Sequence, residues 1–330
     1  EILGVATQGH IGMKKRLNPI QEFFDALRPR RVRGMREFAE SEIVIPTGPY
    51  AGLPFTTKLM PWTGLLLDEF DRGEYRRFFI SGAVQSGKTL IAFCIPTLYH
   101  LFEVVEPVIV GCPDVSMAQS IYEEKLRPVI EKTRYRDLLP DKGSGSRGGK
   151  FNYIRFKNGA TLRFMGAGGS DAQRSSHTAR VIVLTEIDKM DTAGQVSREA
   201  DPVTQIESRS SSYGDRARIY AECTMSIREG RVHHEVVENG TDSTVRMRCN
   251  ACGEYILPDR AHFVGWQDAS NVVDAGRDGA YSCNACGVLW TERDRQDAIQ
   301  SGVIAAAGQT VTTDGVVGGQ VRDTDTFGFR

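Results

Sequence analysis

The segment "FFISGAVQSGKTLIAF", residues 78–93, is an apolar run that breaks into small and polar residues and then resumes at once. Within it, Gly82, Gly87, Lys88 and Thr89 fit the spacing G-x-x-x-x-G-K-[ST]. Glycines let such a loop curl so that backbone N–H groups point at a phosphate, and the following helix adds its positive N-terminal end. The apolar residues before and after the loop favour the strand and the helix that the motif requires. The alternative is a glycine-rich turn that matches the spacing by chance.

The motif predicts a role for each residue of this loop. Lys88 is expected to bridge the β- and γ-phosphates of ATP, and the hydroxyl of Thr89 is expected to bind Mg²⁺. The remaining positions are expected to hold the nucleotide through the loop backbone; they are Gly82, Ala83, Val84, Gln85, Ser86 and Gly87.

Length and charge restrict the possible functions. A chain of 330 residues is long enough for two domains, or for one large domain with an appendage. Its formal charge of −1 means that any contact with nucleic acid must be local. The sequence has no apolar run of transmembrane length and no signal-peptide layout, so we expect a soluble, intracellular protein without a membrane partner.

Four of the seven cysteines form a repeated motif. "RCNACGEY" and "SCNACGVL" place Cys249, Cys252, Cys283 and Cys286 in two nearly identical C-x-x-C-G turns. Two such pairs complete a tetrahedral thiolate site for Zn²⁺. Paired disulfides are the alternative, but an intracellular chain with a doubled turn favours zinc.

From about residue 76 the sequence alternates between strand and helix patterns. "PVIVGCP" reads as a buried strand, "YIRFKNGATLRFMGA" as a hairpin, and "ARVIVLTEID" and "ARIYAECTMS" as two further strands. Strands separated by helical crossovers predict an α/β fold with a mainly parallel sheet flanked by helices, of the P-loop NTPase (RecA/ASCE-like) type, with a small zinc-ribbon appendage. Ligands of such sheets bind at the carboxyl ends of the strands.

An ATP-hydrolysing P-loop needs a second strand that ends in an acid, because the metal and the attacking water both require carboxylate help. "VIVLTEID" is the candidate strand, and Glu186 is the predicted catalytic carboxylate. Thr185 stands where a metal-side Asp is usual, so it offers only a neutral hydroxyl, directly or through a water. Asp188 is an alternative acid, or simply an acidic residue that opens the next loop.

These motifs, in this order, resemble the large terminase subunit of tailed bacteriophages, specifically the lambda-like (GpA-type) family. The resemblance rests on "GAVQSGKT", "VIVLTEIDKM", "IESRSSSYGDRARIYAECTMS" and the paired cysteine turns, and it covers roughly residues 40 to 330. It implies an ATPase motor domain that moves double-stranded DNA into a procapsid.

The resemblance also implies individual roles. Thr224 and Ser226 match the coupling region that links the state of the γ-phosphate to domain movement. Many packaging ATPases carry an arginine in the P-loop, but this loop has "AVQS" there. Arg174 and Arg209 are therefore the candidates for the catalytic positive charge, with a structural ion pair as the alternative role of each.

Four regions are expected along the chain. They are an N-terminal helical or lid region (1–75), the ATPase domain (76–245), a zinc ribbon (246–290), and a linker towards a nuclease domain that this sequence does not contain (291–330). The basic run "KKRLNPIQEFFDALRPRRVRGMREFAESE" could contact a DNA backbone or be only the solvated face of a helix.

The family implies further partners and a location. They are double-stranded DNA, the small terminase subunit, the portal protein and other copies of the chain in a ring, in the host cytoplasm at the procapsid. Two other functions remain open, namely a helicase-like or repair ATPase that depends on DNA, and a nucleotide-gated assembly module with little turnover, which Thr185 makes credible.

Overall fold

The computed structural model describes residues 31–140, 152–168, 170, 174–175, 177–192, 200–225 and 227–330. Arg33–Arg330 form one compact unit, and Glu1–Val32 form a second. Most of the basic N-terminal run, and Ser226, lie outside the described residues.

The strands of the described part are, in chain order, β1 (Arg77–Ser81), β2 (Val108–Cys112), β3 (Tyr153–Arg155), β4 (Thr161–Gly166), β5 (Val181–Thr185), β6 (Arg218–Cys223), β7 (Thr244–Arg248), β8 (Tyr255–Ile256), β9 (Phe263–Val264), β10 (Ala280–Ser282), β11 (Leu289–Trp290), β12 (Val303–Ala305), β13 (Thr310–Val311), β14 (Val317–Gly318) and β15 (Thr326–Phe329).

The helices are α1 (Met35–Glu42), α2 (Pro61–Arg72), α3 (Leu90–Cys94, Ile95–Leu98 and Tyr99–Val104), α4 (Met117–Ser120, Ile121–Leu126 and Arg127–Glu131), α5 (Ile187–Thr192), α6 (Pro202–Glu207), α7 (Arg231–His233 and His234–Asn239), α8 (Val272–Asp278) and α9 (Glu292–Gln300). Helices α3, α4 and α7 combine α-helical and π-helical turns. Short 3₁₀ turns occupy Arg134–Leu138, Ser208–Arg216 and Arg260–His262.

A seven-stranded sheet in the order β15-β1-β6-β5-β2-β4-β3 forms the centre of the fold. All neighbouring strands in it run parallel except β3 and β4, which are antiparallel. Strand β6 lies between β1, which precedes the glycine-rich loop, and β5, which Glu186 follows directly. This mainly parallel sheet with its flanking helices confirms the predicted fold class.

The apolar sequences of the central strands follow from their burial on both faces. Val181 to Leu184 are fully buried, although they point alternately to opposite sides of the sheet. Helices α1 to α4 pack on the face that includes Ile80, Val183 and Tyr220. Helices α5 to α7 pack on the other face, which includes Phe79.

The predicted hairpin is confirmed in β3 and β4, which pair from Tyr153 opposite Arg163 to Arg155 opposite Thr161. The turn between them contains Gly159 at a φ of 90°, in the left-handed region that glycine adopts without steric cost.

The C-terminal part contains three small sheets, in the orders β11-β10-β9, β12-β7-β8 and β13-β14. Strand β15 then returns to the main sheet and pairs in parallel with β1, with Arg77 opposite Thr326 and Ile80 opposite Phe329. The sequence predicts a linker at residues 291–330. The structure instead places their last strand at the edge of the main sheet, where the Phe329 ring stacks on Trp62 at a centroid distance of 6.0 Å.

None of the helices in the described ranges is both long enough and apolar enough to cross a membrane.

Candidate functional site

The glycine-rich loop connects the end of β1 at Ser81 to the start of α3 at Leu90. Two of its residues have positive φ, namely Gln85 at 64° and Gly87 at 85°. A Cβ atom at position 82 would lie 2.8 Å from the Ser86 Oγ, so a larger residue there would force the Ser86 side chain to move. The strand, loop and helix therefore follow one another as the motif requires.

The polar side chains of this loop have few partners within the chain. The Lys88 Nζ donates one long hydrogen bond of 3.4 Å to the carbonyl oxygen of Ala83. The Ser86 Oγ is buried and has no hydrogen-bond partner among the described residues. Since buried polar atoms are nearly always paired, the loop has unused capacity for a polar ligand.

A cavity of about 710 Å³ lies beside the loop. Its walls come from the loop, from the connector before α2, and from α2, α3 and α4, and they include Ile45, Pro46, Tyr50, Phe55, Leu59, Met60, Gln85, Gly87, Lys88, Thr89, Cys94, Glu124 and Lys125. One side is therefore mainly apolar, and Lys88 and Lys125 bring two amino groups to the lining. Sequence reasoning missed the connector and α4 residues, because only packing shows that they face the loop.

The acidic strand β5 ends at a buried polar pair. Thr185 is fully buried, and its hydroxyl donates a hydrogen bond of 2.6 Å to the Glu222 Oε1. Glu186 follows with a φ of 58°, which is uncommon for a residue other than glycine, and its N–H donates to the Glu222 carbonyl oxygen at 3.0 Å. Its partly exposed carboxylate forms an ion pair with Lys189 at 3.1 Å.

Glu222 is the residue of this site that sequence reasoning missed. It lies on β6 opposite Thr185 of β5 and Ile80 of β1, and it is fully buried. Burial raises the pKa of its carboxyl group, and the hydrogen bond from Thr185 opposes that change. The signal that could have revealed it is a charged residue inside the run "IYAEC", residues 219–223, whose other members are apolar.

Asp188 has a different environment from Glu186. Its Oδ1 accepts a hydrogen bond of 2.8 Å from the backbone N–H of Val232 in α7. The carboxylate therefore joins α5 to α7, and Asp188 lies in the first turn of helix α5 rather than in a loop.

The predicted coupling segment lies directly after β6. The backbone N–H of Met225 donates a hydrogen bond of 3.2 Å to the hydroxyl of Ser81, the last residue of β1. Thr224 precedes it and is partly buried. The segment is thus bonded to the strand from which the phosphate-binding loop emerges.

Arg174 and Arg209 lie together, around Gln205 of α6. Arg174 is buried, and it donates to the Gln205 Oε1 at 2.7 Å and to the Ala167 carbonyl oxygen at 2.7 Å. Arg209 donates to the carbonyl oxygens of Gln205 at 3.1 Å and Ser175 at 2.9 Å. Both guanidinium groups thus bond protein oxygens, and neither residue lines the cavity beside the loop.

The four cysteines of the repeated motif meet in one cluster. The two turns have the same backbone hydrogen bonds. In the first, the Cys249 N–H donates to the Glu254 carbonyl oxygen, and the Gly253 N–H donates to the Cys249 carbonyl oxygen. In the second, the Cys283 N–H donates to the Val288 carbonyl oxygen, and the Gly287 N–H donates to the Cys283 carbonyl oxygen. Both glycines have positive φ, 77° and 75°, which lets each turn close tightly.

The sulfur positions fit a tetrahedral metal ion. All four Sγ atoms lie within 4.8 Å of one another, and the Sγ atoms of Cys249 and Cys286 are 4.0 Å apart. Zn–S bonds of about 2.3 Å in a tetrahedron put the sulfur atoms roughly 3.8 Å apart. The described cysteines are all free thiols, so the arrangement is not a pair of disulfides. Burial raises the pKa of the Cys249 thiol, but hydrogen bonds from the backbone N–H groups of Cys252 and Ala251 help to lower it to about 7, whereas the pKa values of Cys252 and Cys283 are raised.

One family model and several solved structures are similar to this chain. Residues 52–303 match the family described as phage terminase large subunit gpA, ATPase domain. Among solved structures, the HK97 bacteriophage large terminase is similar, with 14% identity and a TM-score of 0.47, covering 64% of this chain and 41% of that one. The Thermus phage P74-26 large terminase ATPase domain has 15% identity and a TM-score of 0.36, covering 57% of this chain and 70% of that one. No curated protein matches the chain.

Proposed function

The chain belongs to the family of phage terminase large subunit gpA ATPase domains, and we propose from this that it hydrolyses ATP to drive double-stranded DNA into a procapsid. The observation that supports the nucleotide part most directly is the glycine-rich loop, which borders a cavity of about 710 Å³ with Lys88 and Thr89 in its lining. The cavity is large enough for a nucleotide. Its apolar side, which includes Phe55 and Leu59, suits a base, and its two amino groups suit phosphates.

The proposed reaction is an in-line attack of water on the γ-phosphate. Lys88 neutralises charge on the phosphates, and the backbone of residues 82–87 holds the β-phosphate. Glu186 orients the water and accepts its proton, since its carboxylate is partly exposed and its only ion-pair partner among the described residues is the exposed Lys189. Thr224 and Met225 transmit the loss of the γ-phosphate to the rest of the sheet through the hydrogen bond between Met225 and Ser81.

Two metal ions belong to the proposal. Mg²⁺, held by Thr89 and the phosphates, would neutralise charge that develops on the leaving group. Thr89 suits this role because it lies in the lining of the cavity, directly after Lys88. Zn²⁺ is the ion we propose for Cys249, Cys252, Cys283 and Cys286, on the basis of their number, chemistry and spacing.

The positive charge for the transition state has two candidate sources within the chain, Arg174 and Arg209. Either guanidinium would first have to leave the carbonyl oxygens that it now contacts. An arginine of a neighbouring copy is the third source, and it requires assembly of several chains.

We further propose the regions and partners that this function implies. Residues 1–75 form an N-terminal region whose connector lines the cavity, 76–245 the ATPase core, 246–290 the zinc ribbon, and 291–330 a linker whose last strand, β15, pairs with β1 in the main sheet. The partners are double-stranded DNA, the small terminase subunit, the portal protein and other copies of this chain, in the host cytoplasm at the procapsid.

Steady-state ATP hydrolysis by the wild-type chain and by Lys88→Ala, with and without double-stranded DNA, tests this function. Removing the Lys88 amine should lower the ATP turnover rate by a factor on the order of 10²–10³ or more, because that amine neutralises negative charge on the phosphates. The melting temperature should not change, since the only hydrogen bond of Lys88 in the described structure is 3.4 Å long. Lys132→Ala removes an exposed lysine on the surface and is the matched control.

Normal turnover in Lys88→Ala would contradict the assignment of the loop. Stimulation by DNA alone, with no further effect of portal protein, would favour a helicase-like or repair ATPase. Tight ATP binding with negligible turnover under every condition would favour a nucleotide-gated assembly module.

A further inference from the structure

The structure raises a question at Thr185, because a P-loop ATPase usually has a carboxylate at that position next to its catalytic acid. The Thr185 hydroxyl does not face solvent or the cavity. It is fully buried and donates its proton to the Glu222 Oε1 at 2.6 Å. A carboxylate is therefore present within hydrogen-bond distance of the position that lacks one, and it comes from the neighbouring strand.

Strand order and register put Glu222 between the two halves of the site. Its Cα lies opposite Ile80 of β1 on one side and opposite Thr185 of β5 on the other. Ile80 and Tyr220 pack on the sheet face that α3 covers, and side chains alternate along a strand, so Glu222 lies on that same face. This face carries the helix that begins after the phosphate-binding loop, and β6 packs against the first segment of that helix.

The second carboxylate oxygen of Glu222 differs from the first in its surroundings. Glu222 Oε2 is buried and has no hydrogen-bond partner among the described residues. A carboxylate oxygen in such a position is costly unless a cation or a donor reaches it. The charges that act on Glu222 are those of Lys125, Glu186 and Lys88, all of which belong to the loop, the cavity lining or the acidic strand.

We propose that Glu222 supplies from β6 the carboxylate that Thr185 cannot provide, and that its Oε2 binds the Mg²⁺ of the bound nucleotide or a water molecule in the shell of that ion. Thr185 is then a positioning residue, because its hydroxyl fixes Oε1 and leaves Oε2 available. This inference rests on the proposed ATPase function and names a ligand for the metal of the same site.

The test measures nucleotide affinity rather than turnover alone. The dissociation constant of a non-hydrolysable ATP analogue is determined with Mg²⁺ and with EDTA, for the wild-type chain and for Glu222→Gln. The amide keeps the size of the side chain and an oxygen that accepts from Thr185. We expect equal affinities in EDTA and a loss of the Mg²⁺ effect, with the Mg²⁺ concentration for half-maximal binding raised about 10- to 100-fold.

Two further variants separate this role from a structural one. Glu69→Gln changes another buried glutamate whose pKa is raised by burial, far from the loop on α2, and should keep the wild-type Mg²⁺ dependence. Thr185→Asp combined with Glu222→Gln moves the carboxylate back to β5 and should restore the Mg²⁺ effect. Thr185→Asp alone places two carboxylates side by side in a buried position and should bind Mg²⁺-nucleotide less well than the double variant.

The results for these variants distinguish failure of the Glu222 inference from failure of the proposed ATPase function. A wild-type Mg²⁺ effect in Glu222→Gln overturns the inference and leaves the ATPase function intact. If Glu222→Gln does not fold, the double variant decides, and its failure to respond to Mg²⁺ while folded also overturns the inference. If the wild-type chain and Lys88→Ala bind the analogue equally weakly with and without Mg²⁺, the proposed function itself fails, and this inference fails with it.

Discussion

Glu186 and Asp188 are two residues apart, but their carboxylates have different surroundings. Glu186 lies at the end of β5 with a positive φ and a partly exposed side chain. Asp188 accepts a hydrogen bond from the backbone of α7. The sequence alone left open which of the two is the acid, and their contacts favour Glu186 for chemistry and Asp188 for stability.

This difference predicts opposite effects of two amide substitutions. Glu186→Gln should eliminate ATP turnover and preserve ATP binding, because the amide cannot accept the proton of the attacking water. Asp188→Asn should retain turnover and lower the free energy of unfolding by about 1–3 kcal/mol, because it weakens a charge-assisted bond to the Val232 N–H. Single-turnover hydrolysis and denaturant unfolding measure the two effects. The reverse result, with turnover lost only in Asp188→Asn, would assign the catalytic role to Asp188.

His100 is a buried histidine that joins helix α3 to strand β6. Its Nδ1 contacts the Glu106 Oε1 at 2.7 Å, and its Nε2 contacts the Tyr220 hydroxyl at 3.1 Å. A carboxylate only accepts, so the neutral ring donates from Nδ1 and accepts the Tyr220 proton at Nε2. Burial lowers the pKa of His100 from its ordinary value of 6.5, although the bond to Glu106 opposes that change.

The lowered pKa of His100 predicts that the free energy of unfolding decreases in mild acid. Because the folded pKa is below the unfolded one, the unfolded chain takes up the proton first as the pH falls below 6.5. The wild-type free energy of unfolding should then decrease by up to about 1.4 kcal/mol per pH unit relative to His100→Gln. Urea unfolding between pH 7 and roughly pH 5 measures the difference, above the range in which carboxylates with ordinary pKa values titrate. His234→Gln, at an exposed histidine, should follow the wild type; a wild-type curve parallel to that of His100→Gln would contradict the prediction.

The cysteine turns are the element whose stability depends most on a ligand. The buried cluster around them contains Ile256, Trp290 and Ala298 besides Cys249 and Cys283, so it is too small to hold the segment without a metal. We expect one Zn²⁺ per chain by elemental analysis. Chelation should increase amide hydrogen exchange in residues 246–290 much more than in the main sheet.

Two substitutions at cysteines provide the comparison for the zinc prediction. Cys252→Ser should lower the zinc content and loosen the same segment, because it removes one of four ligands. Cys112→Ala changes a buried cysteine of β2 outside the cluster and should keep the zinc content unchanged. Recovery of the chain with these cysteines oxidised in pairs and without metal would refute the zinc site.

Assembly should control the activity of the whole molecule. The loop itself lacks arginine, and the two candidates in the chain bond protein oxygens around Gln205. If a neighbouring copy supplies the missing charge, the specific ATPase activity should rise with protein concentration as chains associate. Activity measured over a wide concentration range, alongside light scattering, tests this. A constant specific activity, together with full activity in both Arg174→Ala and Arg209→Ala, would argue against any such dependence on arginine.

The sequence by itself determined the features that depend on local spacing. The phosphate-binding loop, the strands β1 and β5, the hairpin turn at Gly159 and the paired cysteine turns are each specified within a few consecutive residues, because backbone geometry and alternation along a strand act locally. Those features were sufficient to predict a mainly parallel α/β sheet with a metal-binding appendage.

Only the tertiary structure decided what surrounds the loop. Glu222 bonds Thr185 from 37 residues away, and it does so because β6 inserts between β1 and β5 in one register. The connector before α2 lines the cavity, and the four residues of β15 join the sheet edge, because packing selects them. The charge of Glu222 inside its apolar strand is visible in the sequence, but strand order and register are properties of the assembled sheet, so no local pattern could place that glutamate beside Thr185, where an aspartate is usual.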